Sequence, residues 1–600
     1  MILHLASLPG LYPLPLQPFG HGDAVRLSFL APSADAVTLN LGPLALIAPL
    51  LEQLNLANIL DQHLPADPQL EFSHGKVLSL LAAARLCHPQ ALIRIPDWAH
   101  EHGADLLWGL PAEKLNDDRL GRALAAFFEH RHSIMAAVTV RVLELVDLSL
   151  ERLHFDTTDV IFCGVYHPSV ARDLADDAPI FPSDSQLSPA HITKGYLSDR
   201  PMLQVGVTSI VDAQGALPIF CHPVDGNRNG HTAVRQQYQL LNKHLPLPDA
   251  VQFVSDRGTF SAEHVARLHR HGHSFLGAAP WNDFQALYDQ HADELLWQAA
   301  SFLSQEQQRR RQANSTLPQE HYELAVLKHE IKAPGNGQTI PCRVLFCYST
   351  AAAAEERQRR EHNCVAIRAG LDLIAHKLAN GHPRTTYTSV VGQIAKLLGK
   401  KAAAKYFRYE LAPLTAAEQA ALPAAKNGHK KPSHRLVYTF DAAAAEADTA
   451  YDGLSALLTT SPLTKSGDAL FTEYKQQAYV ELGHHQWKTP LAVRPVFLKS
   501  PPRVEALLCL LYLALQAYQL LERTYRQNTP AGAPKAERQR TAEQLLRAFA
   551  VTGIVAEQAS VGQLLRPTRL SLNQRQILDR LRYPTPRQLL ARRIPAAPTS

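Results

Sequence analysis

The spacing of apolar positions changes along the chain, and each change predicts a different kind of element. Between about Pro43 and Leu150 apolar residues recur every three to four positions. The runs LALIAPLLEQLNLANILDQHL, HGKVLSLLAAARL behind Ser73, ALIRIPDWAHEHGADLLWGL after the Pro89 break, and DDRLGRALAAFFEHRHSIMAAVTVRVLELV behind Asn116 predict helices, with Ser or Asn at N-cap positions. From Leu153 to Phe275 the period shifts towards two. LHFDTTDVIFCGV predicts a strand, and LQVGVTSIV and ALPIFCHPV about the turn DAQG predict a hairpin. HTAVRQQYQLLNKHL is a helix, AVQFVSD a short buried strand, AEHVARLHRHG behind Ser261 a helix, and HSFLGAA a strand. Strands mixed with helices in this way predict an α/β fold on a mixed sheet.

From about Pro280 to His434 the pattern is less coherent. The polar run QEQQRRRQANS is followed by strand-like HYELAVLKHEI and IPCRVLFCYS, then by a helix, EERQRREHNCVAIRAGLDLIAHKL. Strand signals resume in HRLVYTFD and DGLSALLTTS, so the stretch reads as an insertion into the α/β domain. Asp468–Lys488 is expected to be one helix stopped by Pro490. An apolar helix over 504–525, the linker PAGAPKAE and an arginine-rich helical tail follow. The expected organisation is a lead-in over 1–40 with a short strand near Ala24–Phe29, a helical domain over 41–150, a core over 151–280 and 435–527, an insertion over 281–434, and a basic tail over 535–600. The helical domain reads equally well as a packing or dimerisation module and as a DNA-contacting one.

Composition narrows the class. Six hundred residues, 46% hydrophobic and 19% charged, exclude a disordered chain, a collagen and a coiled-coil rod. The net charge of +5 is compatible with a nucleic-acid partner without specifying one. Seven scattered cysteines with no CxxC pair argue against a disulfide framework and a structural zinc site, and fit a reducing cytoplasm. The proline-punctuated N-terminus lacks a secretion-signal pattern. The apolar stretch Val504–Leu521 is interrupted by Glu505, Gln516 and Gln519, so a buried core helix is expected and no membrane partner.

Candidate chemistry rests on Asp156 in HFDTTD, Asp256 at the end of FVSDRG's strand, and Glu481 in YKQQAYVELGHHQWK. A carboxylate at a buried strand is costly unless paired or metal-bound. Two strand aspartates and a helical glutamate suit hard divalent cations, Mg²⁺ or Mn²⁺, and two such ions about 3.5–4 Å apart support in-line phosphoryl transfer. The plainer alternative is that Asp256 starts a turn and Glu481 is a solvated helix residue. Tyr474, Glu481 and Lys488 are spaced by seven, which on one continuous helix places them within about 40° of one another. Tyr and Lys are routine phosphate donors, so this face suits a nucleic-acid backbone.

HFDTTD, the SDRG after a buried strand, and Tyr-x6-Glu-x6-Lys together resemble the DDE transposases of bacterial insertion sequences. The resemblance is to the insertion-sequence-four superfamily, in the subgroup with a helical N-terminal domain. KLNDDRLGRAL, KGYLSDRP, DGNRNGHT and LAVRPVF extend it over most of 40–525, weakest across 285–430. The family signature is Tyr, two residues, Arg, three residues, Glu, six residues, Lys; the Arg position here is Gln477. The resemblance implies an RNase H-like core interrupted by an insertion, with Asp156, Asp256 and Glu481 as ligands of two metal ions. It also implies Tyr474, Gln477 and Lys488 at the DNA, together with terminal inverted repeats and target DNA as partners and a dimer as the working form. The expected reaction is metal-dependent cleavage at the element's end, followed by attack of the freed 3′-hydroxyl on target DNA. Replacing Arg by Gln forfeits a charge-assisted phosphate contact of about 1.5–3 kcal/mol unless another cation substitutes. Arg257, His484 and His485 are the candidates.

Lys194 and Arg200 in TKGYLSDRP are further candidate phosphate contacts, against a plain surface loop. His264, His269, His271 and His273 read as solvated or helix-capping side chains. Trp281 and Trp297 read as core, with base stacking as the alternative, and Asp159 falls on the opposite strand face from Asp156. Two other functions fit the same residues: a metal-dependent nuclease that cuts without joining, and a DNA-binding protein that has lost catalysis.

Overall fold

The computed structural model describes residues 12–13, 29–30, 37–66, 68–162, 188–195, 200–212, 214–304, 307, 320–333, 337–380, 386–399, 401–423, 431–488, 491, 498–559 and 562–592. The expected strand near Ala24–Phe29 and the motif LAVRPVF fall almost wholly outside those residues, as does most of QEQQRRRQANS. The chain divides into two units, residues 1–275 with 475–600, and residues 276–474. The sequence reading placed the divisions at 280/281 and 434/435, so the strand Leu454–Thr459 falls in the second unit rather than with 435–527.

The first unit begins with helices α1 (Leu44–Gln53), α2 (Leu56–His63), α3 (His74–Cys87) and α4 (Asp117–Leu145). Ser73 and Asn116 cap α3 and α4, accepting from Lys76 N at 3.3 Å and Arg119 N at 2.9 Å. Its sheet is built from β1 (Arg152–Ile161), β2 (Thr193–Lys194), β3 (Pro201–Asp212), β4 (Gly215–Asp225) and β5 (Gln252–Ser255). The strands β3 and β4 form the expected hairpin, with a register shift at Thr208/Ser209. The strand β1 runs antiparallel to β3 and parallel to β5, which makes the sheet mixed. The helix α5 (Gly230–His244) lies between β4 and β5 in sequence, and α6 (Ala262–Arg270), capped by Ser261, follows β5.

The expected helix over Asp468–Lys488 is two helices. One ends at Lys475, and α7 spans Gln477–Lys488, with Gln476 outside both. The Gln476 carbonyl accepts from Tyr479 N at 3.0 Å, a three-residue tightening of the new helix start. Its side chain accepts from Arg152 Nη2 at 2.9 Å, tying the break to β1.

The apolar helix α8 (Pro501–Gln527) is long enough to cross a membrane, yet 94% of its apolar window is buried inside the protein. Its polar interruptions account for this placement. Glu505 pairs with Arg131 Nε at 2.7 Å and accepts from Ala190 N at 2.8 Å; Gln516 Nε2 donates to Thr139 Oγ1 at 2.9 Å; and Gln519 Nε2 donates to Gln486 Oε1 at 2.8 Å. Each interrupting group thus has a partner on α4, on α7 or in the segment before β2, although the Oε1 atoms of Gln516 and Gln519 are buried without one.

In the second unit the antiparallel strand order is Gln298–Ala299, Tyr322–Lys332, Thr339–Ser349, Leu454–Thr459 and the strand ending at Ala279. A 30-residue helix, Thr350–Ala379, packs with the ribbon Phe407–Pro413/His434–Phe440 around Ile367, Leu371, Ile394 and Leu436. Trp281 sits 5.5 Å from Tyr288 and 6.0 Å from Tyr451 in an aromatic cluster of this unit.

Candidate catalytic site

The strand β1 carries Asp156 at its middle, and β5 ends one residue before Asp256. Their parallel register pairs Phe155 with Ser255 as its last pair, so the residues that follow are Asp156 on β1 and Asp256 just past the end of β5. Phe155 stacks on Phe253 at 5.0 Å beneath them, which fixes the pair of strands from the core side. Asp256 caps a single 3-10 turn, Arg257–Thr259, accepting from Arg257 N at 2.6 Å. The start of α5 closes on this turn: a Cβ at Gly230 would lie 2.4 Å from the Gly258 carbonyl, so only glycine permits that approach. The motifs DGNRNGHT and SDRG are thereby one piece of structure.

The helix α7 lies over β1. Gln477, Glu481, His484 and Lys488 fall at steps of four, three and four, within a stripe about 60° wide. Gln477 Nε2 donates to the Phe155 carbonyl at 3.0 Å, and Gln477 Oε1 is 2.8 Å from His154 Nδ1. Two turns on, His484 Nδ1 is 3.6 Å from Asp156 Oδ2. Glu481 is exposed and Lys488 half-buried.

Asp156 is the most perturbed carboxyl here. Its side chain is 18% exposed. Burial, foremost, raises its pKa from 3.8 to about 7; the Thr157 N–H at 2.7 Å and Lys488 pull it down, while Asp256 and Glu481 push it up. Asp256 and Glu481 are thus both near enough to Asp156 to act on its charge. His484 is lowered to about 4 by burial and then by Lys488, so it is neutral at pH 7. It does not supply the cation considered for it.

Among the described residues no three His, Cys, Asp or Glu side chains are drawn close enough to enclose an ion. The donor set nevertheless fits a hard cation. Mg²⁺ is commonly held by one or two carboxylates and keeps several waters, and a buried carboxyl between two others of the same charge is what such an ion relieves.

Arg257 is exposed beside Asp256, and Lys194 is exposed on β2 opposite Pro201. Gln477, expected at DNA, is only 7% exposed, and both ends of its amide are engaged with β1. Tyr474 is half-buried on the helix Gly467–Lys475, in the second unit, while Glu481 and Lys488 share α7, where their spacing of seven sets them on one face. His264 and His273 are buried rather than solvated, whereas His271 is exposed at the C-cap of α6, as expected, with its Nδ1 2.6 Å from Tyr238 Oη. The role of His154 as partner to Gln477 carried no sequence signal, because the contact joins residues 323 apart.

Residues 36–139 match a domain family described only as a domain of unknown function (DUF4277). No curated protein matches the chain. Among solved structures, one similar chain comes from a cryo-electron microscopy structure of a piggyBac transposase synaptic complex with hairpin DNA. It is 8% identical with a TM-score of 0.32, over 93% of this chain and 87% of that one, values too low to establish a common fold.

Proposed function

We propose that this protein is a DNA transposase with an RNase H-like catalytic core, in which Asp156, Asp256 and Glu481 hold Mg²⁺ or Mn²⁺. The observation that carries the reading is the parallel register of β1 and β5, which sets Asp156 beside Asp256, with Glu481 close enough to raise Asp156. Bound divalent ions would supply charge neutralisation at phosphate and a lowered pKa for the attacking water. The residues of the chain do the rest. Asp156 offers its oxygens from β1 and Asp256 from the turn that follows β5, and Glu481 closes the set from α7. Lys488, Arg257 and Lys194 offer cations to the DNA backbone, and Tyr474 a hydroxyl. His484 stands beside Asp156 Oδ2, at 3.6 Å. Cleavage would free a 3′-hydroxyl at the element's end, and that hydroxyl would attack target DNA, with two copies holding two ends and the reaction in the cytoplasm.

The reading of a chain that has lost catalysis was motivated by Gln477 in place of Arg. The burial of Gln477 against β1, with its amide engaged by Phe155 and His154, counts against that motivation. The test is Mg²⁺- or Mn²⁺-dependent nicking and joining of DNA that carries the sequences flanking the coding region. Asp256→Ala is expected to abolish both. Equal activity in that variant would overturn the site, and nicking without joined products would favour the nuclease.

A further inference from the structure

The two consecutive glutamines at the start of α7 clamp the strand that carries Asp156. Gln476 takes the Arg152 guanidinium, and Gln477 takes the two residues immediately before Asp156. We infer that Gln477 is a positioning residue: its amide sets α7 on β1 so that Glu481, one helical turn further, stands over Asp156. This rests on the proposed reading of the site.

The chemistry of the contact is restrictive. Gln477 Nε2 is committed as a donor to the Phe155 carbonyl, so Oε1 is the acceptor and His154 Nδ1 carries the proton. His154 is fully buried. Its other nitrogen, Nε2, has no partner. An amide meets both demands of this place, one donor and one acceptor. Arginine has five donors and no acceptor; it would bury a charge and strip the His154 N–H of its partner. The anchor lies about 6 Å along the helix from Glu481. A shift of α7 on β1 therefore moves Glu481 directly, together with His484 and Lys488 on the same stripe.

The experiment measures Mn²⁺ binding to the full chain without DNA, by water-proton relaxation, alongside affinity for the flanking DNA end over a salt series. The wild type should bind Mn²⁺, and Asp156→Ala should lose it; if the wild type has no Asp156-dependent binding, the reading of the site fails and the inference falls with it. Gln477→Met keeps the side-chain length and removes the amide; it should weaken Mn²⁺ at least tenfold while DNA-end affinity stays within twofold. Gln477→Arg should also weaken Mn²⁺ and leave the salt slope of DNA binding unchanged. The double variant His154→Phe/Gln477→Met replaces both polar partners with apolar groups and should stay folded while still binding Mn²⁺ weakly. Wild-type Mn²⁺ affinity in Gln477→Met or in the folded double variant would overturn the positioning role. A Gln477→Arg protein with tighter DNA binding and a steeper salt slope would overturn it in favour of a phosphate contact.

Discussion

Replacing Asp156 by Asn should stabilise the folded protein at alkaline pH while removing a carboxylate from the proposed metal site. The carboxyl is raised from 3.8 to about 7, first by burial and then by Asp256 and Glu481. In the folded chain Asp156 therefore keeps a proton that the unfolded chain has already released. Stability falls as pH rises between about 4 and 7, and the full cost is in force above pH 7. At about 1.4 kcal/mol per unit the shift amounts to about 4 kcal/mol. Asparagine has nothing to ionise, and its oxygen can still accept from the Thr157 N–H, 2.7 Å from Oδ1 in the wild type. Urea unfolding followed by fluorescence at pH 4, 6 and 8 should give matching midpoints for wild type and Asp156→Asn at pH 4, with the variant pulling ahead progressively towards pH 8. Millimolar Mg²⁺ at pH 8 should then raise the wild-type midpoint and leave the variant's in place. A variant no more stable than wild type at pH 8, or a difference that does not change with pH, would refute the account of Asp156 as a desolvated carboxyl among like charges.

Breaking the buried pair between Arg131 and Glu505, whose side chains are 1% and 2% exposed, by Arg131→Met should cost about 3–5 kcal/mol. Adding Glu505→Leu to that variant should recover part of the loss in the same urea assay, since no charge is then stranded. Gly226→Ala should be destabilising by about 1–3 kcal/mol, because its Cβ would sit 2.1 Å from the Met202 carbonyl and 2.7 Å from that of Thr193, neither of which is a flexible side-chain end. Glu481→Gln should keep the melting temperature within a few degrees, given its exposure, and abolish metal-dependent DNA nicking; retained nicking would remove Glu481 from the site.

Much of this protein is legible in short stretches of sequence, and the rest is not. The caps Ser73, Asn116 and Ser261, the apolar periods behind them and the DAQG turn are local instructions, since a helix or hairpin is decided by residues a few positions apart. The three acids could be named for the same reason: each sits in a short motif that reads as strand or helix by itself. Their arrangement was decided elsewhere. The parallel register of β1 on β5 joins residues 100 apart, and no local period encodes which strand pairs with which, or at what offset. The break at Gln476 runs against a continuous helical pattern and is tied to Arg152 on a strand more than 300 residues earlier. Gln477 and His484 look like surface groups on an amphipathic helix; packing against β1 turns one into a buried clamp, and burial lowers the pKa of the other to about 4. Periodicity states which face of an element is apolar, but burial, pairing and ionisation depend on everything that closes around a side chain once the distant segments meet.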